Sequence, residues 1–384
     1  MGTFFVSSLF WVCGFLIVYS YLIYPLILFY LHRFHRLSEP IFSSQTPPIS
    51  IIIAAYNEAK VIKARVQNCL DLDYPKDKLE IIIASDGSDD GTVEIVQKFK
   101  EQGVILLDFK QRRGKVNVLN DTVKHARYEL IAFSDANTHF EKDAIRKLIR
   151  YFQDPAVGCV VGQLRFVNAQ GSKTADLEGV YWKFETFLKK VEGSRGALLG
   201  ANGAIFAVRK AFYKPCPPNT VVEDFVMPMK ILEDGHKVMY DPQAIAVEEA
   251  AKHIIHEKKR RIRIGAGDFQ ALVFLRSMLD LRKGFPAFAF WSHKVLRWLA
   301  PFFLILIFVA NLLLLKHPLY QLTFFLQVAF YMAAFIGQMM NWAGVHIKIF
   351  SLCYYFVSMN LALLLGFVRF VAGSQRVAWD RTER

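Results

Sequence analysis

Residues 131–144 read "IAFSDANTHFEKDA". Four apolar or small residues stop at Asp135-Ala136-Asn137, and a charged stretch with helical periodicity begins at Glu141. A short run of this kind, bounded by polar residues, is the pattern of a strand buried on both faces. Working outward, the pattern repeats. Strands are expected at 49–55 ("ISIIIAA"), 79–85 ("LEIIIAS"), 104–108, 129–134 and 157–164, and helices at 58–71, 90–101, 115–127 and 141–152. Near-continuous apolar strands alternating with helices predict an α/β fold, a Rossmann-like, mostly parallel sheet covered on both sides.

Such a sheet binds ligands beyond the carboxyl ends of its strands. Three of those ends are polar here: Tyr56-Asn57-Glu58, Ser85-Asp86-Gly87-Ser88 and Asp135-Ala136-Asn137. Alone, "SDGSDDGT" reads as a glycine turn capping a helix. Three strand ends converging on one edge, each carrying a carboxylate, point instead to a binding site. The loop "RRGKVNVLN" (112–120) adds Lys115 at a helix start, where backbone amides and cations suit phosphate. The same loop taken singly is also an ordinary solvated basic turn. A carboxylate and an amide with cations nearby are the parts of a metal-bridged diphosphate site, because magnesium takes few protein ligands and leaves the rest to phosphate and water.

The flanks are of another kind. The chain has 384 residues, of which 53% are hydrophobic and 21% charged, too apolar for a wholly soluble enzyme and too charged for an all-membrane one. Residues 4–30 are nearly uncharged and exceed the ~20 residues that span a bilayer. No basic start or small-residue cleavage site marks them as a signal peptide, so an N-terminal transmembrane anchor is expected at 1–31. His32, Arg33, His35 and Arg36 follow and place its exit on the cytoplasmic side. A polar linker at 32–48 then leads to a soluble domain at 49–267. Residues 268–297 mix apolar residues with five cations and suit interfacial helices. Transmembrane helices are expected within 298–372, at 298–315, 319–340 and 349–370, ahead of a tail at 373–384. Alternate crossings from an outside N-terminus put that tail outside, whereas its three arginines favour the inside.

The formal charge of +13 sits largely beside the apolar segments, so anionic membrane lipid explains it better than nucleic acid. Five cysteines show neither disulfide nor zinc spacing, in keeping with a reducing compartment. His253 and His256 have metal-like spacing without a carboxylate partner and read as ordinary polar residues.

Six motifs now stand in order: "SIIIAAYNE", "IIIASDGSDDGT", "RRGKVNVLN", "IAFSDANTHF", "GANGAIFAVRK" and "VVEDFVMPMKILEDGHKVMYDP". Together, over roughly residues 48–270, they resemble family 2 glycosyltransferases of the GT-A fold, in the membrane-embedded branch of cellulose, chitin and hyaluronan synthases. The resemblance implies an inverting transfer of sugar from a nucleotide sugar, UDP-linked in this branch, to a growing polysaccharide or other glycan. Single-sugar transfer to a lipid-linked acceptor is the alternative. It implies nucleotide contacts at Tyr56, Asn57, Glu58, Asp86, Lys115 and Asp135, and a divalent metal, magnesium or manganese, at Asp135 and Asn137. Asn137 replaces the second aspartate of the family's Asp-x-Asp motif. Asp224, beside Glu223, matches the general base, with Val222 where the family has threonine. Gly203 lies in the expected floor of the sugar pocket. The processive members carry Gln-x-x-Arg-Trp, and this chain has Arg260, Arg263 and Ile264 at those places; the two arginines would steady diphosphate or acceptor. The site would face the cytoplasm at the plasma (inner) membrane.

Two other classes fit less well. A transporter should show repeated halves and intramembrane charges, and no repeat is visible. A nucleotide-binding scaffold without catalysis has no need of Asp224. A soluble oxidoreductase would place Gly-x-Gly-x-x-Gly after the first strand, where this chain has Tyr56-Asn57-Glu58.

Overall fold

The computed structural model describes residues 2–34, 46–167, 175–249, 254–345 and 347–374. Eight strands make one sheet: β1 (Ile49–Ala55), β2 (Leu79–Asp86), β3 (Val104–Phe109), β4 (Leu130–Asp135), β5 (His139–Phe140), β6 (Val157–Val167), β7 (Phe206–Arg209) and β8 (Lys237–Glu249). Their order is β3-β2-β1-β4-β7-β6-β8-β5. The half formed by β3, β2, β1 and β4 is parallel throughout. β7 enters antiparallel between β4 and β6, and β5 pairs antiparallel with β8 at the far edge. The sheet is therefore mixed and mostly parallel.

All seven residues of β1 are buried, because the strand is covered on both faces. Ile49, Ile51 and Ile53 turn into a core shared with the helices Ile62–Leu70 and Ala144–Ile149. Ile52 and Ala54 turn the other way, toward the helices Lys115–His125 and Glu223–Glu233. That second core continues without a break into Tyr24 and Leu28 of the N-terminal helices and Phe290, Val295 and Trp298 near the chain's other end. One face of the sheet is thus packed directly onto the apolar flanks.

Four helices are long and apolar enough to cross a membrane: Gly2–Phe34, Phe285–Leu313, Pro318–Trp342 and Lys348–Val371. The second differs from expectation, since its helix begins at Phe285 rather than near 298. The stretch 268–297, expected as interfacial helices, is divided. Its first residues complete the helix Ile254–Phe274, short 3₁₀ turns follow, and the remainder opens the apolar helix. The reason is pairing. His293 and Arg297 are buried against Glu185 and Glu192 of the helix Ala175–Ser194, so cations that read as interface markers are matched inside the protein. The helix Ile254–Phe274 also packs along Lys348–Val371, where Gly366 lies so close that a Cβ would come within 2.6 Å of the Ala266 amide.

Candidate functional site

β1, β2 and β4 run in register, with Ala55 beside Ser85 and Ala54 beside Asp135, so their carboxyl ends open on one edge. β1 ends in a turn made by Asn57, the one non-glycine residue of positive φ (55°) among those described. Asparagine tolerates this region because its short side chain bonds locally. Here that side chain donates to Asp89 Oδ1 (2.8 Å) and accepts from the Asp89 amide (3.0 Å). The Glu58 amide donates to Thr92 Oγ1 and the Ala59 amide to Asp90. The loops after β1 and β2 are therefore clasped together.

Asp86 is 2% exposed, and its carboxylate accepts from the Arg113 amide at 2.6 Å and the Gly114 amide at 2.9 Å. The loop 111–114 lies against Gly87, where a Cβ would come within 2.8 Å of the Arg112 amide. Asp86 thus fixes the loop that presents Lys115. Arg112 lies over the Tyr56 ring, 3.9 Å from its centroid, and forms a cation–aromatic rim beside that loop.

At the centre, Lys115 Nζ bonds Asp135 Oδ1 at 2.8 Å and Glu223 Oε1 at 2.7 Å. Burial opposes its charge, but Asp135, Glu223 and Asp224 outweigh that and hold Lys115 well above the usual lysine range. Glu223 and Asp224 open the helix Glu223–Glu233, where acidic residues suit the dipole. Val222 precedes them without a side-chain cap and packs on helix Ile254–Phe274, at a point where Gly267 has no room for a Cβ. Asp224 is pushed up to about 6, first by burial, then by Glu223 and Asp135, against the pull of Lys115 and Arg263. Gly203 has φ of 68°, and a Cβ there would lie 3.2 Å from Asp224 Oδ2 and 3.3 Å from Asp135 Oδ2. One oxygen of each carboxylate therefore faces the same small space over Gly203.

The structure thus gathers Lys115, Asp135, Glu223, Asp224 and Gly203, and brings Arg263 within electrostatic reach of Asp224. Tyr56, Asn57, Glu58 and Asp86 line the adjoining edge. Arg260 is exposed. Ile264 is packed against the core. Asn137 donates its amide to Glu248 near the end of β8, a partner the sequence analysis missed because it lies 111 residues away. His253 and the side chain of His256 lie outside the described residues.

A divalent cation was tested against this donor set. Among the described residues no three His, Cys, Asp or Glu side chains gather as a metal cage. Asp135 keeps one oxygen toward the open space, and Asn137 stands two residues on. So sparse a set fits a cation that draws most of its ligands from phosphate and water.

Residues 50–214 match the family described as glycosyl transferase family 2. The chain is similar to the poly-beta-1,6-N-acetyl-D-glucosamine synthase of Staphylococcus aureus (strain COL), 29% identical over 257 residues, which cover 65% of this chain and 61% of that protein. The enzyme of the same name from Staphylococcus epidermidis is 29% identical over 236 residues, covering 60% and 56%. The chain thus spans somewhat under two thirds of the length of these relatives. Among solved structures, a mannosyltransferase from Pyrobaculum calidifontis in complex with GDP-Man and Mn2+ superposes with a TM-score of 0.73 at 20% identity, covering 96% of this chain and 100% of that one. The likeness is one of fold, and it extends over the apolar flanks as well as the GT-A sheet.

Proposed function

The chain belongs to glycosyl transferase family 2, and from that premise we propose that it transfers a sugar from a nucleotide sugar to a glycan acceptor at a membrane surface. The observation that carries this reading is the convergence of Lys115, Asp135, Glu223 and Asp224 around Gly203. A UDP-linked N-acetylhexosamine is the donor favoured by the names of the staphylococcal relatives. The domain faces the cytoplasm, where nucleotide sugars are made, and the four apolar helices hold it at the plasma membrane.

The reaction is a single displacement with inversion. Asp224 accepts the proton of an acceptor hydroxyl as that oxygen bonds to the anomeric carbon. The bond from that carbon to the diphosphate breaks on the opposite face, and the nucleoside diphosphate leaves with the electron pair. Lys115 offsets negative charge at this point, and it also keeps Asp135 and Glu223 from pushing Asp224 still higher. Asp86 and the clasped loops at Asn57 hold the edge where the nucleotide rests. A divalent cation, magnesium or manganese, held by Asp135 and Asn137, would supply further neutralisation of the diphosphate.

Two expected outcomes arise here. With Asp224 pushed up to about 6, the base is ionised above that pH and protonated below it. Below pH 6, kcat/KM should fall by about tenfold per unit, and the neutral plateau should begin near pH 7. A rate profile that stays flat down to pH 4.5 would remove Asp224 from this role. Gly203→Ala places a methyl group between the two carboxylates on a backbone that side chains rarely adopt. It should lower kcat by about tenfold or more while the melting temperature moves little. Wild-type kcat in that variant would show that the space over Gly203 is not where the sugar reacts.

The test is release of nucleoside diphosphate from a panel of nucleotide sugars. Release from one donor, rising when a glycan acceptor is added, supports transfer; binding without release supports a scaffold.

A further inference from the structure

Glu185 and Glu192 flank Lys189 by about one turn on either side along the helix Ala175–Ser194, so all three lie on one face. Across from that face, His293 and Arg297 flank Lys294 in the helix that runs from Phe285 to Leu313. Glu185 bonds Arg297 at 2.6 Å and His293 at 3.2 Å, and Glu192 bonds His293 at 2.7 Å and accepts from the Tyr24 hydroxyl at 2.8 Å. These buried pairs lock the two helices face to face. They also bring Lys189 and Lys294 together, close enough for burial and then Lys294 to push the Lys189 ammonium below its usual range.

The lysine pair adjoins the reaction centre. Phe225, next to Asp224, lies against Phe290 (6.4 Å between ring centroids) and Trp298 (5.6 Å), the residues one turn to either side of Lys294. Asp224 is close enough to act electrostatically on both Lys189 and Asp268. Asp268 is half-buried on the helix Ile254–Phe274, and burial pushes it up to about 8, against the pull of Lys294, so at neutral pH it does not offset the lysines. Among the described residues no carboxylate makes an ion pair with Lys294. Two ammonium groups held together by a rigid frame cost free energy by mutual repulsion, and an anion between them removes that cost. Nucleotide diphosphate has its own cation, Lys115, on the sheet side of Asp224. The lysine pair lies on the other side, at the edge of the uncharged run 298–313.

We propose that Lys189 and Lys294 form a subsite, on the membrane side of Asp224, for an anionic group carried by the acceptor. This rests on the transfer reading above and narrows its acceptor to a charged saccharide. Phosphate of a lipid-linked glycan and carboxylate of an acidic glycan share this chemistry. The acceptor's anion sits between the two ammonium groups, Asp268 donates a hydrogen bond to it, and the acceptor hydroxyl then reaches Asp224.

The experiment uses the full chain in lipid discs with whichever donor releases diphosphate. Three acceptors of one oligosaccharide are compared: neutral, joined to a polyprenyl diphosphate, and ending in a hexuronate. At least one charged acceptor should have a KM about tenfold or more below that of the neutral one. Lys189→Gln and Lys294→Gln should each bring that ratio toward one, while Lys294→Arg keeps most of it. Preference for the lipid diphosphate names a lipid-linked acceptor, and preference for the hexuronate names an acidic glycan; either supports the subsite. Equal KM values for all three acceptors would overturn it. So would a preference that survives both glutamine variants, or one that is lost equally in Lys294→Arg. Absence of diphosphate release from every donor is a separate result, which sinks the transfer reading and this inference with it.

Discussion

Replacing Asp224 by asparagine is expected to lower kcat by about a thousandfold, within the range that a positioned general base contributes. The substitution keeps size and shape, so the hydrogen bond from the Phe225 amide and the packing of the helix start can persist. It removes the group that takes the proton. The donor's KM should change little, because Lys115 and the edge formed by Asp86 and Asn57 remain. Two causes of failure are separable. A misfolded variant loses its thermal transition, whereas a chemically disabled one keeps it and still binds nucleotide. Retention of more than about a tenth of the rate would assign the base elsewhere, with Glu223 the next carboxylate to test.

Lys115→Gln is the second large effect. Lys115 bonds two carboxylates and acts on a third, and its side chain is only 16% exposed. Without it, Asp135, Glu223 and Asp224 repel one another in a partly desolvated space. We expect kcat/KM to fall by about a hundredfold or more, in line with the loss of an electrostatic group at a charged leaving site. The acid limb of the rate profile should also move above pH 6, because the cation that holds Asp224 down has gone. That displacement separates an electrostatic role from a purely structural one. Stability should drop as well, by about 3 kcal/mol, the usual order for a buried pair left with one partner. Thermal melting of the variant measures it. An unchanged acid limb would show that Lys115 does not govern the ionisation of Asp224.

Much of this was legible in the chain because the parallel half of the sheet obeys local rules. The strands β1 to β4 are continuous apolar runs, and each ends where a polar turn begins, so Asp86 and Asp135 could be placed at one edge. The glycine of "RRGK" and the acidic pair of "VVEDF" marked helix starts. What escaped depended on partners far along the chain. β7 is four residues long and is held only by pairing with β4 and β6. Glu248 is one acid among several until β8 brings it to Asn137. The start of the second apolar helix was misplaced because Lys294 and Arg297 break the hydropathy of that stretch, whereas Glu185, more than a hundred residues earlier, accommodates Arg297 by pairing with it. Asp268 and Lys189 gave no periodic or motif signal either. Their meeting beside Asp224 follows from helix packing against the sheet, which no local pattern encodes.

The most direct test of the central claim is nucleoside diphosphate release by the purified chain in lipid discs, with magnesium or manganese, across a panel of UDP- and GDP-linked sugars offered with neutral and charged glycan acceptors. The account predicts release from a narrow set of donors, UDP-N-acetylhexosamine foremost, with one sugar joined to the acceptor for each diphosphate freed. Release from no donor, by a protein that is folded and binds nucleotide, would contradict it.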